Sequence, residues 1–329
     1  MGSLLPIGII VLLAWAYDFV NGMNDCANAI ATTVSTRALS PRQAIFLAFA
    51  FNVLGAFVST EVAKTIGKGI LNPEIIDYPI IVSSLVGAII WAGFCTHYGI
   101  PISVTHSLVG GLIGAGIAAK GIWALEAAGI KKVLIAMVVS PVAGFVVGYI
   151  LLVAILWMSR ALRPEAASSY FRKFQVVSAA FMALSHGAND TQNAMGVVTA
   201  ALLAGGFIHS FEVPPWVVLG SGIFMGLGTY FGGWKVIKTL GMKMVKLRPV
   251  HGFSAETASA LVILGNTLVG APISTTHVIT TAVMGVGSTE KLSGVKWGLA
   301  GHIVLTWILT IPATAMVAAL TYGALSALR

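Results

Sequence analysis

Six stretches of this chain are apolar for so long that water cannot be their solvent. They fall near residues 4–20, 44–63, 79–96, 133–158, 216–231 and 297–322, with shorter ones between, and about 20 apolar residues suffice for a helix to cross a bilayer. Only 9% of the residues are charged and the mean hydropathy is +0.92, whereas roughly a quarter of an ordinary soluble domain is charged. In lipid every backbone polar group must be satisfied within the protein, so spans of this length are helices. The sequence therefore predicts an all-α polytopic membrane protein of roughly 10–12 membrane segments, with the lipid bilayer as its surroundings. The first stretch lacks a basic flank and runs straight into a polar motif, so it reads as a retained helix and not a signal peptide.

The formal net charge of +8 does not point to nucleic acid, because the Lys and Arg residues sit in short clusters between apolar runs, where membrane topology puts them. Cys26 and Cys95 both lie in apolar segments without metal-ligand spacing and read as small buried side chains.

The chain is also a duplication. Residues 21–29 read NGMNDCANA and residues 186–194 read HGANDTQNA, an offset of 165. Residues 99–116, GIPISVTHSLVGGLIGAG, match residues 270–287, GAPISTTHVITTAVMGVG, at an offset of 171, which also pairs Pro141 with Pro312. The expected organisation is a first membrane repeat over 1–160, a short cytoplasmic linker over 161–173 and a second, inverted repeat over 174–329. Charge argues for the inversion: residues 235–248 carry Lys235, Lys238, Lys243, Lys246 and Arg248 with no acid, while the counterpart over 64–78 offsets Lys64 and Lys68 with Glu74 and Asp77. Equivalent loops of unequal basic charge belong on opposite sides of a membrane.

Two of the four aspartates, Asp25 and Asp190, occupy the matching NDxxNA settings between apolar runs. An ionised carboxylate at that depth is costly enough to mark function by default, although an isolated one often caps a helix. Asn24 with Asn28, and Asn189 with Asn193, are spaced i and i+4, which puts both carboxamides on one helix face beside the carboxylate. Such oxygens suit a hard cation. Gly22 and Gly187 would permit a helix break whose freed carbonyls complete the shell. The second motif, Pro-Ile-Ser-x-Thr-His, has the form of a helix start. Pro101 and Pro272 fit a first turn, and Ser103 and Ser274 fit a cap. Free N–H groups at Val104 and its counterpart, with the hydroxyls of Ser103, Thr105, Ser274, Thr275 and Thr276, would bind an anion. Asn28 and Asn193 join this anion set, and Asn24, Asp25, Asn189, Asp190 and Glu256 form the cation set. His106 and His277 are as suited to orienting backbone as to touching a ligand. Asp18, two helical turns before Asp25 on the same face, is a candidate further cation ligand or a residue just behind the site. An anion beside two bare carboxylates is repelled, so cations must stand between them, and binding of each then favours the other.

The duplicated G-x-N-D-x-x-N-A and P-I-S-x-T-H motifs resemble those of the PiT family of inorganic phosphate transporters, across essentially the whole chain. The resemblance implies a symporter of two inverted repeats with discontinuous, re-entrant helices in the inner (plasma) membrane. It imports inorganic phosphate with sodium in many members, with protons in some bacterial ones, and sulfate or metal phosphate enters as an alternative cargo. Sodium bound at Asp25 and Asp190 is the expected co-transported ion, no cofactor is expected, and a second copy of the chain is a candidate partner. Glu256 matches an acid implicated in the family. The long soluble loop of animal members is absent, which points to a prokaryotic form. Asn52 stands where animal members carry a glutamate. An intramembrane aspartyl protease would also use two acids, but flanking carboxamides and paired helix starts serve no purpose there. A channel needs no buried carboxylate pair.

Overall fold

The computed structural model describes residues 4–161 and 163–328. Among the described residues there are twelve α-helices and no β-strand: α1 Leu4–Ser35, α2 Pro41–Gly55, α3 Glu61–Gly69, α4 Tyr78–Tyr98, α5 Val104–Lys120, α6 Ala127–Met158, α7 Pro164–Ala204, α8 Pro215–Phe231, α9 Trp234–Lys238, α10 Pro249–Leu268, α11 Thr275–Ser288 and α12 Trp297–Ala327. By length and composition α1, α4, α6 and α12 can each cross a membrane alone. The pair α8 with α9 and the π-helical turn Thr239–Lys243 that follows is long and apolar enough only when taken together, and is bent by 65°, the form of a broken span or a re-entrant loop. The apolar run over 44–63 is not one span, because α2 stops at Gly55 and α3 starts at Glu61. Most of the expected linker, from Pro164 onward, is the first part of α7. Hydropathy misses α7 as a span because its middle is polar, yet every residue from Ser185 to Leu202 is buried inside the protein.

Six helices in each half correspond in order, α1 with α7 through α6 with α12. The halves are entwined: α1 packs on α8 and α2 on α7, while α5 packs on α12 and α11 on α6. That the halves are inverted follows from the central pair. Tyr17 of α1 and Asn193 of α7 hold adjacent residues, Val104 and Thr105, Asp25 stands beside His186, and Thr32 and Thr33 share Glu256 with Gln175 and Ser178. Rising numbers on α1 thus meet falling numbers on α7, so the two motif helices run antiparallel.

The helix breaks are not where the glycines of the first motif suggest. Both α1 and α7 pass through Gly22 and Gly187 without interruption. A side chain at Gly22 would collide with the Met225 carbonyl oxygen of α8, and one at Gly187 with the Asn52 carbonyl oxygen of α2. These glycines serve close helix crossing, as small residues do in membrane interiors. The breaks fall three helices later, at Gly99 and Gly270. Both are in left-handed conformation (φ 71° and 65°), which glycine adopts at no steric cost. In matching turns, Ile100 N–H donates to Cys95 O and Ala271 N–H to Asn266 O, each at 2.9 Å.

Candidate functional site

After each break the chain runs extended for four residues and re-enters a helix at Val104 and at Thr275. Ser103 and Ser274 cap these helices: the backbone N–H of His106 and of His277 donates to the respective Oγ at 3.1 Å. The first intrahelical bonds go from Ser107 to Ser103 and from Val278 to Ser274. The N–H groups of Val104, Thr105, Thr275 and Thr276 precede them, so two helix N-termini offer uncommitted donors and partial positive charge.

The asparagines of the first motif hold these segments in place by one rule applied twice. Asn24 Nδ2 donates to Thr96 Oγ1 at 2.8 Å, and Asn189 meets Thr267 Oγ1 at 2.9 Å, each on the last turn of the helix before the break. One turn further on, the reach is to the other half: Asn28 Nδ2 donates to Thr276 Oγ1 at 2.9 Å, and Asn193 Nδ2 to Thr105 Oγ1 at 2.8 Å. Every pair maps onto its partner by the offsets of 165 and 171 found in the sequence. The amide oxygens of Asn24, Asn28 and Asn193 are buried and accept from no protein donor, leaving them free to face a cation.

Between the helix starts lie the two acids, both 1% exposed. Thr276 donates to Asp25 Oδ1 at 3.0 Å, and Thr275 to Asp190 Oδ2 at 2.9 Å. Here the symmetry fails, since the counterpart of Thr275 is Val104, and both hydroxyls come from the second half. Ligand atoms of Asp25, Asp190 and His186 lie within 4.8 Å of one another. Two negative charges at that separation repel by about 3 to 4 kcal/mol at an effective dielectric near 20, before the cost of taking them out of water. A cation between them would remove that penalty, and the oxygens around it are of the hard kind.

His186 is the site residue that sequence reasoning passed over. Its Nε2 lies 3.3 Å from Asp190 and 4.0 Å from Asp25. Its Nδ1 faces Asn52 Oδ1 at 2.9 Å, while Asn52 Nδ2 donates to Thr229 Oγ1 at 3.0 Å. The available signal was a failure of the duplication, because the counterpart of His186 is Asn21. His106 and His277 do come together, edge to face at 5.0 Å between ring centroids, with their ring nitrogens free of protein partners. His277 stacks on Trp307 at 3.8 Å, and Trp307 Nε1 donates to Pro101 O at 3.2 Å, so α12 braces the first break.

Glu256 stands apart from this centre. Its Oε1 accepts from Thr32 Oγ1 (2.5 Å), Thr33 Oγ1 (2.7 Å) and Gln175 Nε2 (3.0 Å), and its Oε2 from Ser178 Oγ (2.5 Å). Translated by the repeat offsets, these five residues become Leu85, Val197, Val198, Ile10 and Leu13, all part of or packed on one apolar cluster. A charged pocket in one half is a greasy one in the other.

A membrane-embedded bundle of two inverted halves, with two acids buried between two helix N-termini, has the form of a transport protein. The comparisons agree. The sequence profile described as the phosphate transporter family matches residues 21–318. The chain is 44% identical over 322 residues to a protein of Rhizobium meliloti (97% of this chain, 96% of that one) and 43% identical over 317 residues to one of Bacillus subtilis (95% of each), both named as probable low-affinity inorganic phosphate transporters. A solved structure titled the sodium-dependent phosphate transporter superimposes with a TM-score of 0.89 at 28% identity, covering 99% of this chain and 100% of that one. This chain belongs to the phosphate transporter family.

Proposed function

We propose that this protein imports inorganic phosphate across the plasma (inner) membrane by symport with sodium. The observation that carries the reading is the cross-repeat lock: Asn28 and Asn193 each hold the first turn of the other half's re-entrant helix, which aims both helix N-termini at the carboxylate pair. Phosphate is received by the N–H groups of Val104, Thr105, Thr275 and Thr276, with the hydroxyls of Ser103 and Ser274 and the amides of Asn28 and Asn193 beside them. Sodium lies at Asp25 and Asp190 with the free amide oxygen of Asn24, Asn189 supports Asp190 through its Nδ2 while its own oxygen accepts from Thr267, and a further cation takes Glu256. His106, His277 and His186 position these groups and do not bind sodium, since imidazole nitrogen is a poor partner for a hard cation.

Coupling follows from electrostatics. With both acids ionised the anion is repelled, and with sodium between them the same pocket attracts it, so cation and anion each raise the other's affinity. The sodium dependence named for the structural relative supports this choice of ion. The alternative of proton coupling places protons on the same two acids, and His186 beside them is the feature that favours it. The two repeats divide at residues 161–173, on the cytoplasmic side, where Arg160, Arg163, Arg172 and Lys173 gather.

The test is radiolabelled phosphate uptake into proteoliposomes under an imposed sodium or pH gradient, for wild type and for Asp25→Asn with Asp190→Asn. Sodium-driven uptake that disappears in the double variant is the expected result. Uptake driven by the pH gradient alone transfers the coupling role to protons. Uptake of sulfate but not phosphate refutes the cargo.

A further inference from the structure

Glu256 and Asp18 are both fully buried carboxylates outside the central pair, but their surroundings are opposite. Four protein donors converge on Glu256, as an ionised carboxylate requires. No protein group donates to either oxygen of Asp18, and neither polar atom of the neighbouring Asn21 has a partner. Both residues are 0% exposed.

The position of Asp18 in the bundle gives this contrast a direction. Asp18, Asp25 and Thr32, the residue that donates to Glu256, are spaced at seven-residue intervals on the unbroken helix α1. Seven residues advance a helix by about 10 Å and return to nearly the same face. The central pair is therefore flanked by one buried acid on each side, along one line through the protein.

The chemistry around Asp18 fits a proton and not a metal ion. A hard cation needs several oxygens, and here α1 and α8 are both continuous, so their carbonyls are committed to helix bonds. Beyond its own carboxyl, the site offers Asn21 Oδ1 and the Ser221 hydroxyl of α8, which faces Asp18 just short of hydrogen-bond geometry. A proton needs a single acceptor, which the Ser221 hydroxyl can be, and that one hydroxyl could give an ionised carboxyl no more than one donor. Leaving the carboxyl ionised and undonated in this setting is the costliest state for a buried group. The counterparts of Asp18 and Asn21 are Ala183 and His186, so the site exists in one half only.

We propose that Asp18 is a proton-binding station on the coupling path, on the far side of the central site from Glu256. The titratable groups nearest it are Asp190 of α7, with His186 beside that acid, and Tyr17 of its own helix. Tyr17 donates elsewhere, to Val104 O at 3.0 Å. The rest of α8 brings only Tyr230 near its end, α2 only Arg42 at its start, and α4 carries Cys95, His97 and Tyr98 in its last turn. A negative charge at Asp190 repels a second one at Asp18. Sodium arriving between Asp25 and Asp190 withdraws that repulsion, and the proton is released when the central site fills.

This inference rests on the symport reading for its role in transport but not for its chemistry, and the experiment separates the two. Infrared spectra of the purified full-length protein, without phosphate, are compared for wild type and Asp18→Asn. A protonated-carboxyl band present in wild type and absent from the variant is expected, and a wild-type spectrum from which Asp18→Asn removes nothing overturns the proposal. In proteoliposomes, the sodium concentration for half-maximal phosphate uptake by wild type falls by up to about tenfold per pH unit while Asp18 still holds its proton, because sodium binding and proton release are reciprocal, and in Asp18→Asn that part of the slope is lost. An unchanged slope overturns the proposal as well. If Asp18→Asn is not monodisperse on gel filtration, Asp18→Glu is read instead, with a shifted carboxyl band as support and an unshifted one as refutation.

Discussion

The apolar counterpart of the Glu256 pocket allows its energetic role to be separated from its transport role. Glu256→Leu removes the acceptor of four buried donors. The hydroxyls of Thr32, Thr33 and Ser178 sit within helices and can turn to a carbonyl one turn back, but Gln175 Nε2 is left without a partner. A buried unsatisfied donor costs about 1–3 kcal/mol, and the rearranged hydroxyls add strain, so we predict a loss of about 2–4 kcal/mol. Glu256→Gln keeps the shape and one accepting oxygen, so it should cost about 1 kcal/mol or less. The decisive variant rebuilds the first half's greasy version, combining Glu256→Leu with Thr32→Val, Thr33→Val, Gln175→Ile and Ser178→Leu. Replacing all partners of a buried polar cluster by apolar groups is close to neutral for stability. The assay is thermal unfolding in detergent micelles alongside sodium-driven phosphate uptake. The single Leu variant should unfold several degrees lower, the fivefold variant should recover most of that loss, and neither should retain sodium-coupled uptake. Sodium-driven uptake at the wild-type rate in the fivefold variant would refute a transport role for Glu256.

Other perturbations have readable outcomes. Asn28→Ala removes the cross-repeat hydrogen bonds to Thr276 and Thr275, and Asn193→Ala the one to Thr105; we expect each to raise the KM for phosphate by roughly tenfold, about 1.4 kcal/mol, and a change in one only would deny the pseudo-symmetry. Gly22→Val and Gly187→Val force apart helices whose backbones touch, so loss of folded protein on gel filtration is expected, and wild-type yield would show the crossing to be looser than described. Thr275→Val copies the first half's Val104 and takes the hydroxyl from Asp190. Sodium affinity should fall with little change in the folded yield, measured as the sodium concentration for half-maximal uptake. Trp307→Phe keeps the stack on His277 but loses the bond to Pro101 O, and a two- to fivefold rise in phosphate KM should follow.

The duplication, the two motifs and the carboxylate pair were legible in the sequence because each is local. A Pro-Ile-Ser segment specifies a capped helix start wherever it stands, and an NDxxNA run on a helix puts its amides on one face whatever surrounds it. The position of the helix breaks was misread because Gly22 and Gly99 offer the same backbone freedom. Only packing distinguishes them: Gly22 meets the backbone of α8, whereas Gly99 turns left-handed to end α4.

What the sequence determined alone is therefore the solvent, the twofold plan and the residue types of the site, since these depend on composition and on spacing along one helix. What only the tertiary structure decided is which half completes which. Asn28 and Thr276 are 248 residues apart, and nothing along the chain says that each half's asparagine grips the other half's helix. The same holds for His186 beside the carboxylates, for the four donors of Glu256 and for the donorless burial of Asp18. Those are properties of antiparallel helices brought together in one low-dielectric interior, where a polar atom's energy is set by the neighbours that the fold supplies.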